Sequence, residues 1–485
     1  MTDNRYRRLP VGIQSFKVIR EENYLYVDKS DIVWNMVNLG DKYNYLSRPR
    51  RFGKSVLVDT LESYLEGRKD LFEGLKIMQM EKDWKHYPVI RLDMSRGGAN
   101  EETLRSYLNL RFKDYEEKYN ITPDPTAMLA DRFHAIIVTA YKQTGLRVAV
   151  LIDEYDSPLQ HSWRTPEHEK CTGVYREVFA ILKADDEYEH FVFITGITKF
   201  TQISLFSVLN NLSNISFTPE YAAICGITEE EIEENFMPEI RQMSEANNWS
   251  IQETHDRLKA YYDGYHFSDD NMVDIYNPYS LVNALKQRKI KNFWASSGAT
   301  SLLPKFVDNA ELRLSKFENC SIMRNTLELS DVSGGGAELF LYQSGYLTIK
   351  ESDEFGYILG FPNEEVKQAL YETVLPALAM RSENEIQSLQ ACLYRYLGTG
   401  QIDEAMKSLK ALIADVPYSN KKLASMDMEE RYRLIISTIL NAIGLNVEVE
   451  KMISTGRIDM TVKTSRYIYV IELKLRNNGG KEAAT

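Results

Sequence analysis

Hydrophobic and polar positions follow two rhythms along this chain. Through the first 215 residues, short apolar runs alternate with stretches whose apolar residues recur at helical spacing. Tyr43 to Leu46 predicts a short strand that ends at a basic loop. Ser55 to Gly67 predicts a helix, because Leu57, Leu61, Tyr64 and Leu65 recur at helical spacing and Gly67 can end it. Val89 to Met94 predicts another strand, and helices follow around 101–119 and 125–143. In the second of these, Leu129, Phe133, Ile136, Ile137 and Ala140 share a face, with Gly145 just past the end. Val148 to Ile152 and Phe191 to Thr195 are apolar runs with β-branched members, the pattern of strands buried on both faces of a parallel sheet. Such alternation predicts βαβ units and an α/β fold.

The rhythm changes after about Cys225. Residues 228–300 read as mostly helical, with a loop around Asp263-Gly264-Tyr265 and a turn at Asn277-Pro278. The glycine run 334–336 precedes a short apolar segment, Leu339 to Leu347, and helices return from Glu364 to about Leu412. A helix over Glu429 to Ile443 is followed by strand-like Val447 to Met452, Ile458 to Val462 and Tyr467 to Leu473. These shifts predict three domains: 1–225, an α/β domain; 226–355, a mainly helical lid or relay; and 356–485, a second α/β core.

Composition narrows the function classes. At 485 residues, 44% hydrophobic and 26% charged, the chain reads as globular, which excludes collagen-like, wholly disordered and disulfide-stapled classes. No run approaches the ~18 apolar residues of a membrane span, and Met1 to Arg20 lacks the apolar run of a secretory signal. A cytoplasmic protein with no membrane partner is expected. The nearest cysteines, Cys171 and Cys225, are 54 residues apart, which leaves no CxxC pattern. The net charge of −12 argues against nonspecific coating of nucleic acid. Residues 1–54 nevertheless hold 11 Lys/Arg against 6 Asp/Glu, and residues 446–485 hold 7 against 5, so both ends can meet phosphates. The seven histidines form no HExxH pattern and read as structural or solvated.

The first candidate chemistry is Ser47-Arg48-Pro49-Arg50-Arg51-Phe52-Gly53-Lys54-Ser55, between a strand and a helix. Gly53 lets the backbone approach a phosphate, Lys54 supplies a charge to the β- and γ-phosphates, and Ser55 is a Mg²⁺ ligand. The N–H groups from Arg51 to Val56, at the helix N-terminus, face the anion. Arg48 stands where GxxxxGK[ST] has its first glycine, so the match is partial, and Gly-Lys-Ser by itself is a weak signal. Context strengthens it. About 100 residues on, the buried strand runs into Asp153-Glu154. Asp153 is placed to hold Mg²⁺, and Glu154 to orient or deprotonate the attacking water. The plainer alternative is two acids capping the next helix. Thr195, with Thr198 and Lys199 behind it, is the candidate γ-phosphate sensor, and a plain polar turn explains it equally well. No guanine-reading Asn-Lys-x-Asp occurs, which favours adenine. The stretch Thr201 to Ser216 reads as a coupling loop or as an ordinary one.

Pro10-Val11-Gly12, Tyr26-Val27-Asp28-Lys29, Arg48-Pro49-Arg50-Arg51-Phe52-Gly53-Lys54-Ser55, Leu151-Ile152-Asp153-Glu154-Tyr155-Asp156 and Leu205-Phe206-Ser207-Val208-Leu209-Asn210-Asn211-Leu212 together resemble the bacterial AAA-ATPase-like family, common in gut Bacteroidetes. The resemblance implies a P-loop ATPase domain that uses ATP and Mg²⁺, with Arg48 as the family's own variant. It also implies a C-terminal PD-(D/E)xK nuclease-superfamily domain.

The tail carries Gly456-Arg457-Ile458-Asp459, and Glu472 and Lys474 alternate with apolar residues on the next predicted strand. Two carboxylates and a lysine converging from adjacent strands make a Mg²⁺ site for phosphodiester hydrolysis, which Glu430 on the preceding helix can join. The alternative is a solvated strand face with one Glu472–Lys474 ion pair. The superfamily core continues past its Glu-x-Lys strand with a helix and another strand, so this nuclease-like core is expected to be incomplete at its C-terminus. Two functions stand: an ATPase whose nucleotide state controls an attached nuclease acting on DNA or RNA, or an ATP-dependent switch or assembly factor with an inert tail. A protein partner or a second copy of the chain fits either.

Overall fold

The computed structural model describes residues 8–122, 124, 126–199, 212–294, 317–329, 336–379, 383–413, 428–453, 456–464 and 466–474. The chain divides into two compact units, one of residues 1–290 and 321–359, the other of residues 291–320 and 360–485. The sequence-expected range 1–225 and most of 226–355 fall in the first unit.

The first unit is built on a parallel sheet of β1 (Tyr43–Ser47), β2 (Val89–Asp93), β3 (Val148–Asp153), β4 (Glu189–Gly196) and β5 (Ser213–Asn214), in the order β2-β3-β4-β1-β5. The apolar runs read from sequence are its centre. Every residue of β3 is buried, and so is every residue of β4 except His190. Helices cover the sheet in two groups. Lys54–Leu65 packs against β2, β3 and the helix Phe16–Glu21, while Glu101–Lys118, Leu129–Thr144 and Glu167–Ala184 pack on one another. Leu129–Thr144 buries the five-residue face that the periodicity predicted, and Gly145 ends it in the left-handed region at φ +67°.

The same unit continues through β6 (Ile227–Thr228), β7 (Ile275–Tyr276) and the helices Glu229–Asn235, Met237–Asn247, Ile251–Tyr262 and Pro278–Gln287. After the second unit's first segment come β8 (Cys320–Met323), β9 (Thr348–Ser352) and β10 (Gly356–Gly360), ordered β8-β10-β9. The apolar segment 339–347 resolves into the end of a helix, Gly336–Gln343, and the turn that leads to β9.

The second unit holds the helices Glu364–Ala379, Glu383–Thr399, Ile402–Ile413 and Met428–Ala442, with an antiparallel sheet of β11 (Asn446–Ile453), β12 (Gly456–Lys463) and β13 (Ile468–Ile471). Met428–Ala442 packs on β11 and β12. An apolar cavity of about 300 Å³ lies among Leu393, Leu397, Met406, Leu440, Val462 and Ile471. Among the described residues, no helix is long and apolar enough to cross a membrane.

Candidate nucleotide site

Parallel strands present their carboxyl ends together, and ligands bind at that edge. Here the edge gathers Ser47 of β1, Asp93 of β2, Asp153 of β3 and Gly196 of β4. Asp93 pairs with Asp153 and Ser47 with Gly196. The sheet order places β4 between the strand that feeds the basic loop and the strand that ends in the acids, as the sensor assignment requires.

The basic loop turns into the helix Lys54–Leu65 at Gly53, which sits at φ +88°. That conformation favours glycine, and a Cβ built on Gly53 meets nothing within 4 Å, so the space before the helix is open. No side chain caps this helix. The first-turn N–H groups of Lys54, Ser55 and Val56 therefore have no intrahelical partner and suit an anion. Lys54 is buried, and its Nζ donates to Arg48 O and Pro49 O, both at 2.9 Å. Burial holds its pKa down, while Glu154, Asp156 and Asp153 pull it back up.

Arg48 explains how the loop manages without its first glycine. The side chain is only 1% exposed and turns away from the loop. It donates to Ser47 O and Ser216 O at 2.8 Å and to Tyr221 O at 2.9 Å, and its guanidinium lies 4.2 Å from the Phe267 ring centre. Burial lowers its pKa to about 10. Phe52 is also buried, with its ring edge-on to Tyr265 and Phe267. What Phe52 can offer a nucleotide is its main chain. Arg51 stands exposed at φ +67°, 4.6 Å over the ring of Tyr279.

Across the edge, Asp153 is 3% exposed, with the Ser55 side chain beside it. Its Oδ1 is buried with no hydrogen-bond partner. An orphaned carboxylate oxygen beside a serine hydroxyl offers the oxygen donors that a Mg²⁺ bound to a triphosphate takes, with Lys54 left for the phosphates, so the residues fit that ion. Burial raises the Asp153 pKa, against the lowering effect of the nearby Ser55 hydroxyl and Lys54. Glu154 is half-buried and held at φ +48°, uncommon for a non-glycine residue. Burial raises its pKa too; Lys54 opposes, and Asp153, Asp156 and Asp93 add to the rise. A raised carboxyl pKa moves a general base toward neutral pH.

Thr195 is buried at the end of β4, but its hydroxyl donates to Leu46 O at 2.8 Å. Its proton serves β1. Thr198 and Lys199 are tied down as well, and the residue that ties Thr198 is one to which the sequence reading gave no role. Asp156 is 1% exposed. Its Oδ2 accepts from Ile197 N at 3.0 Å, Thr198 N and Thr198 Oγ1 at 2.6 Å, and Gln160 Nε2 at 2.5 Å. A Cβ on Gly196 would come within 2.5 Å of Asp156 Oδ1, so the close approach requires glycine. The sequence signals for Asp156 were its position two residues beyond Glu154 and its place at the end of the string Leu151 to Asp156, neither of which gave it a role. Asp93 likewise escaped notice, because an acid ending an ordinary strand carries no signature until its neighbour is known. Of the coupling stretch 201–216, residues 201–211 lie outside the described residues.

The family model "Predicted AAA-ATPase" matches residues 10–206. A relative from Azotobacter chroococcum mcd 1, "Uncharacterized protein in vnfD 5'region", is 31% identical over 487 aligned residues, covering 97% of this chain and 89% of its own length. The chain belongs to the AAA-ATPase-like family. The PD-(D/E)XK nuclease superfamily model matches residues 427–485, so this AAA-ATPase-like chain also carries a nuclease-superfamily domain.

In that domain, Asp459 is buried at mid-strand on β12, while Glu472 and Lys474 are exposed. The strand expected over Tyr467 to Leu473 spans only Ile468–Ile471. The reason lies in Asp459: its Oδ2 accepts Leu473 N at 2.8 Å, taking a donor that a longer ladder would use. Glu472 and Lys474 therefore lie just past the strand. The Glu430 side chain lies outside the description. Among the described residues, no three His, Cys, Asp or Glu side chains gather as a metal cage, so no step is assigned through a metal there.

Proposed function

We propose that this protein binds and hydrolyses ATP at the carboxyl edge of its parallel sheet, and that the nucleotide state regulates the attached nuclease-superfamily domain. The observation that carries the reading is the buried Asp153 Oδ1 without a hydrogen-bond partner, on a carboxyl within reach of Ser55 and Lys54, which open an uncapped helix. Ser55 and Asp153 would hold Mg²⁺, which when bound offsets charge on the phosphate oxygens. Lys54 supplies a fixed cation at the loop. The amides of Lys54, Ser55 and Val56 orient the phosphates. Glu154, with its raised pKa, takes the proton of the attacking water or positions that water. Asp156 keeps Ile197 and Thr198 fixed beside the site.

Calorimetry with ATP and a phosphate-release assay test this directly. Lys54→Ala is expected to weaken ATP uptake at least about 100-fold, through loss of a buried charge–phosphate contact. Glu154→Gln is expected to keep uptake and lose turnover by about 10²–10⁴-fold. Hydrolysis at the parent rate in both variants would falsify the site.

Exposure of Glu472 and Lys474 favours a second reading of the tail, as a binding module for DNA or RNA that does not cut. Incubating both nucleic acids with Mg²⁺ or Mn²⁺, with and without ATP, separates the two. Cleavage that depends on ATP and disappears in Asp459→Ala and Lys474→Ala supports the regulated nuclease. ATP-dependent binding without cleavage supports the switch.

A further inference from the structure

One short turn of the first unit touches the proposed nucleotide site twice. Gln343, buried at the end of the helix Gly336–Gln343, accepts the main-chain N–H of Lys199 on its Oε1 at 3.1 Å. Lys199 lies three residues beyond β4 and anchors its own Nζ on Glu328 O at 2.8 Å. Two residues after Gln343, Gly345 sits at φ +86°, and a Cβ there would stand 2.4 Å from Pro49 Cβ. Only glycine lets the basic loop press so close. Gly345 O accepts Tyr265 OH at 3.0 Å, and the Tyr265 ring meets Phe52 edge-on at 4.7 Å between centres. Pro49, Gly345, Tyr265 and Phe52 therefore close a ring of contacts that begins and ends in the phosphate loop. From this turn the chain runs directly into β9 and β10, and at Gly360 it enters the second unit.

We propose that the turn Gln343–Gly345 relays the nucleotide state from the phosphate loop and the end of β4 to β9 and β10, and so to the chain entering the second unit. This rests on the nucleotide-site reading above. A ligand shifts a conformational equilibrium only through contacts that differ between states. The phosphate loop and the segment after β4 flank the proposed site, and this turn is fastened to both. Any change in their spacing breaks the Gln343 bond or carries the turn with it, because close-packed contacts switch between discrete arrangements rather than stretch. Gln343 is a positioning residue in this scheme, acting through Lys199 and the turn.

Hydrogen exchange read by mass spectrometry on the full chain tests the relay, with and without ATP·Mg²⁺, in the parent, Gln343→Leu and Gln343→Glu. In the parent, ATP is expected to slow exchange over residues 343–352 about tenfold. Gln343→Leu should keep ATP affinity within about twofold and the same exchange without ATP, yet lose the slowing. Gln343→Glu keeps an acceptor for Lys199 N–H and should restore it. If the leucine variant fails to fold, Gln343→Met takes its place. Slowing that persists without the acceptor, or that glutamate does not rescue, overturns the relay. So does a parent that takes up ATP with no change over this segment. A parent that takes up no ATP by calorimetry overturns the nucleotide site and the relay together.

Discussion

Lys54, Asp153 and Asp156 of the first unit are at most 6% exposed, whereas Glu472 and Lys474 of the second stand in solvent. Both constellations were readable as acids and a lysine near phosphate chemistry, and the fold treats them in opposite ways. Burying a charge costs several kcal/mol unless partners compensate. The first unit supplies those partners: carbonyls for Lys54 and Arg48, amides and a hydroxyl for Asp156. Its charges are held in place before any ligand arrives, which is what a catalytic electrostatic site requires. Of Asp459, Glu472 and Lys474 in the second unit, Asp459 alone is held by a hydrogen bond among the described residues, from one amide. An exposed Glu and Lys gain little from each other and keep their side-chain freedom.

The contrast can be broken by mutation. The largest stability effect is expected from Asp156→Ala, which strands the donors of Ile197, Thr198 and Gln160 in the core. A loss of about 3–4 kcal/mol in urea unfolding is expected; a loss under about 1 kcal/mol would mean the knot is not a structural hinge of the site. Arg48→Gly comes next. It makes the loop conform to the common phosphate-loop pattern, yet it takes the guanidinium donor from Ser47 O and the buried Ser216 O and leaves Tyr221 O with Ile224 N alone. A loss of about 2–3 kcal/mol is expected with no gain in ATP affinity, and tighter ATP binding would contradict the role assigned to Arg48.

A smaller, pH-dependent effect separates the two edges of the parallel sheet. Glu189 begins β4 at the edge away from the nucleotide site, wholly buried, with Tyr43 OH donating to its Oε2 at 2.7 Å. Burial pushes its pKa from 4.5 up to about 8, against the Tyr43 hydrogen bond. The folded state holds a proton that the unfolded chain releases. The stabilisation is therefore full below the ordinary value and is lost as pH rises through the folded one. Glu189→Gln keeps the neutral form at all pH, so its melting temperature relative to the parent should climb by about 2–4 °C between roughly pH 5 and pH 8.5. A difference independent of pH would contradict the assignment. The smallest effects belong to the second unit: about 1 kcal/mol for Asp459→Ala, from one lost hydrogen bond, and less than about 0.5 kcal/mol for Glu472→Gln. A Glu472→Gln cost matching that of Asp156→Ala would erase the comparison.

The sheet and its covering helices were legible because apolar periodicity records burial directly. Val148–Ile152 and Phe191–Thr195 read as doubly buried strands, and they are. Gly53-Lys54-Ser55 and Asp153-Glu154 were legible because spacing relative to strand and helix is a local property of the chain. What stayed hidden depends on which residues meet across the sequence. Nothing local marks Arg48 as a core residue bonded to Ser216 and Tyr221, or Asp156 as the acceptor for Ile197 and Thr198. Nothing local marks Leu473 as a donor to Asp459, the contact that ends β13 early.

By itself, then, the sequence determined where strands and helices form and which short strings hold phosphate-type chemistry, because both follow from side-chain period and backbone preference within a few residues. Only the tertiary structure decided which charges are buried, which partner each receives, and that Gly345 must be glycine for Pro49 to rest against it. Those outcomes follow from desolvation and close packing, which arise only when segments tens to hundreds of residues apart occupy the same space.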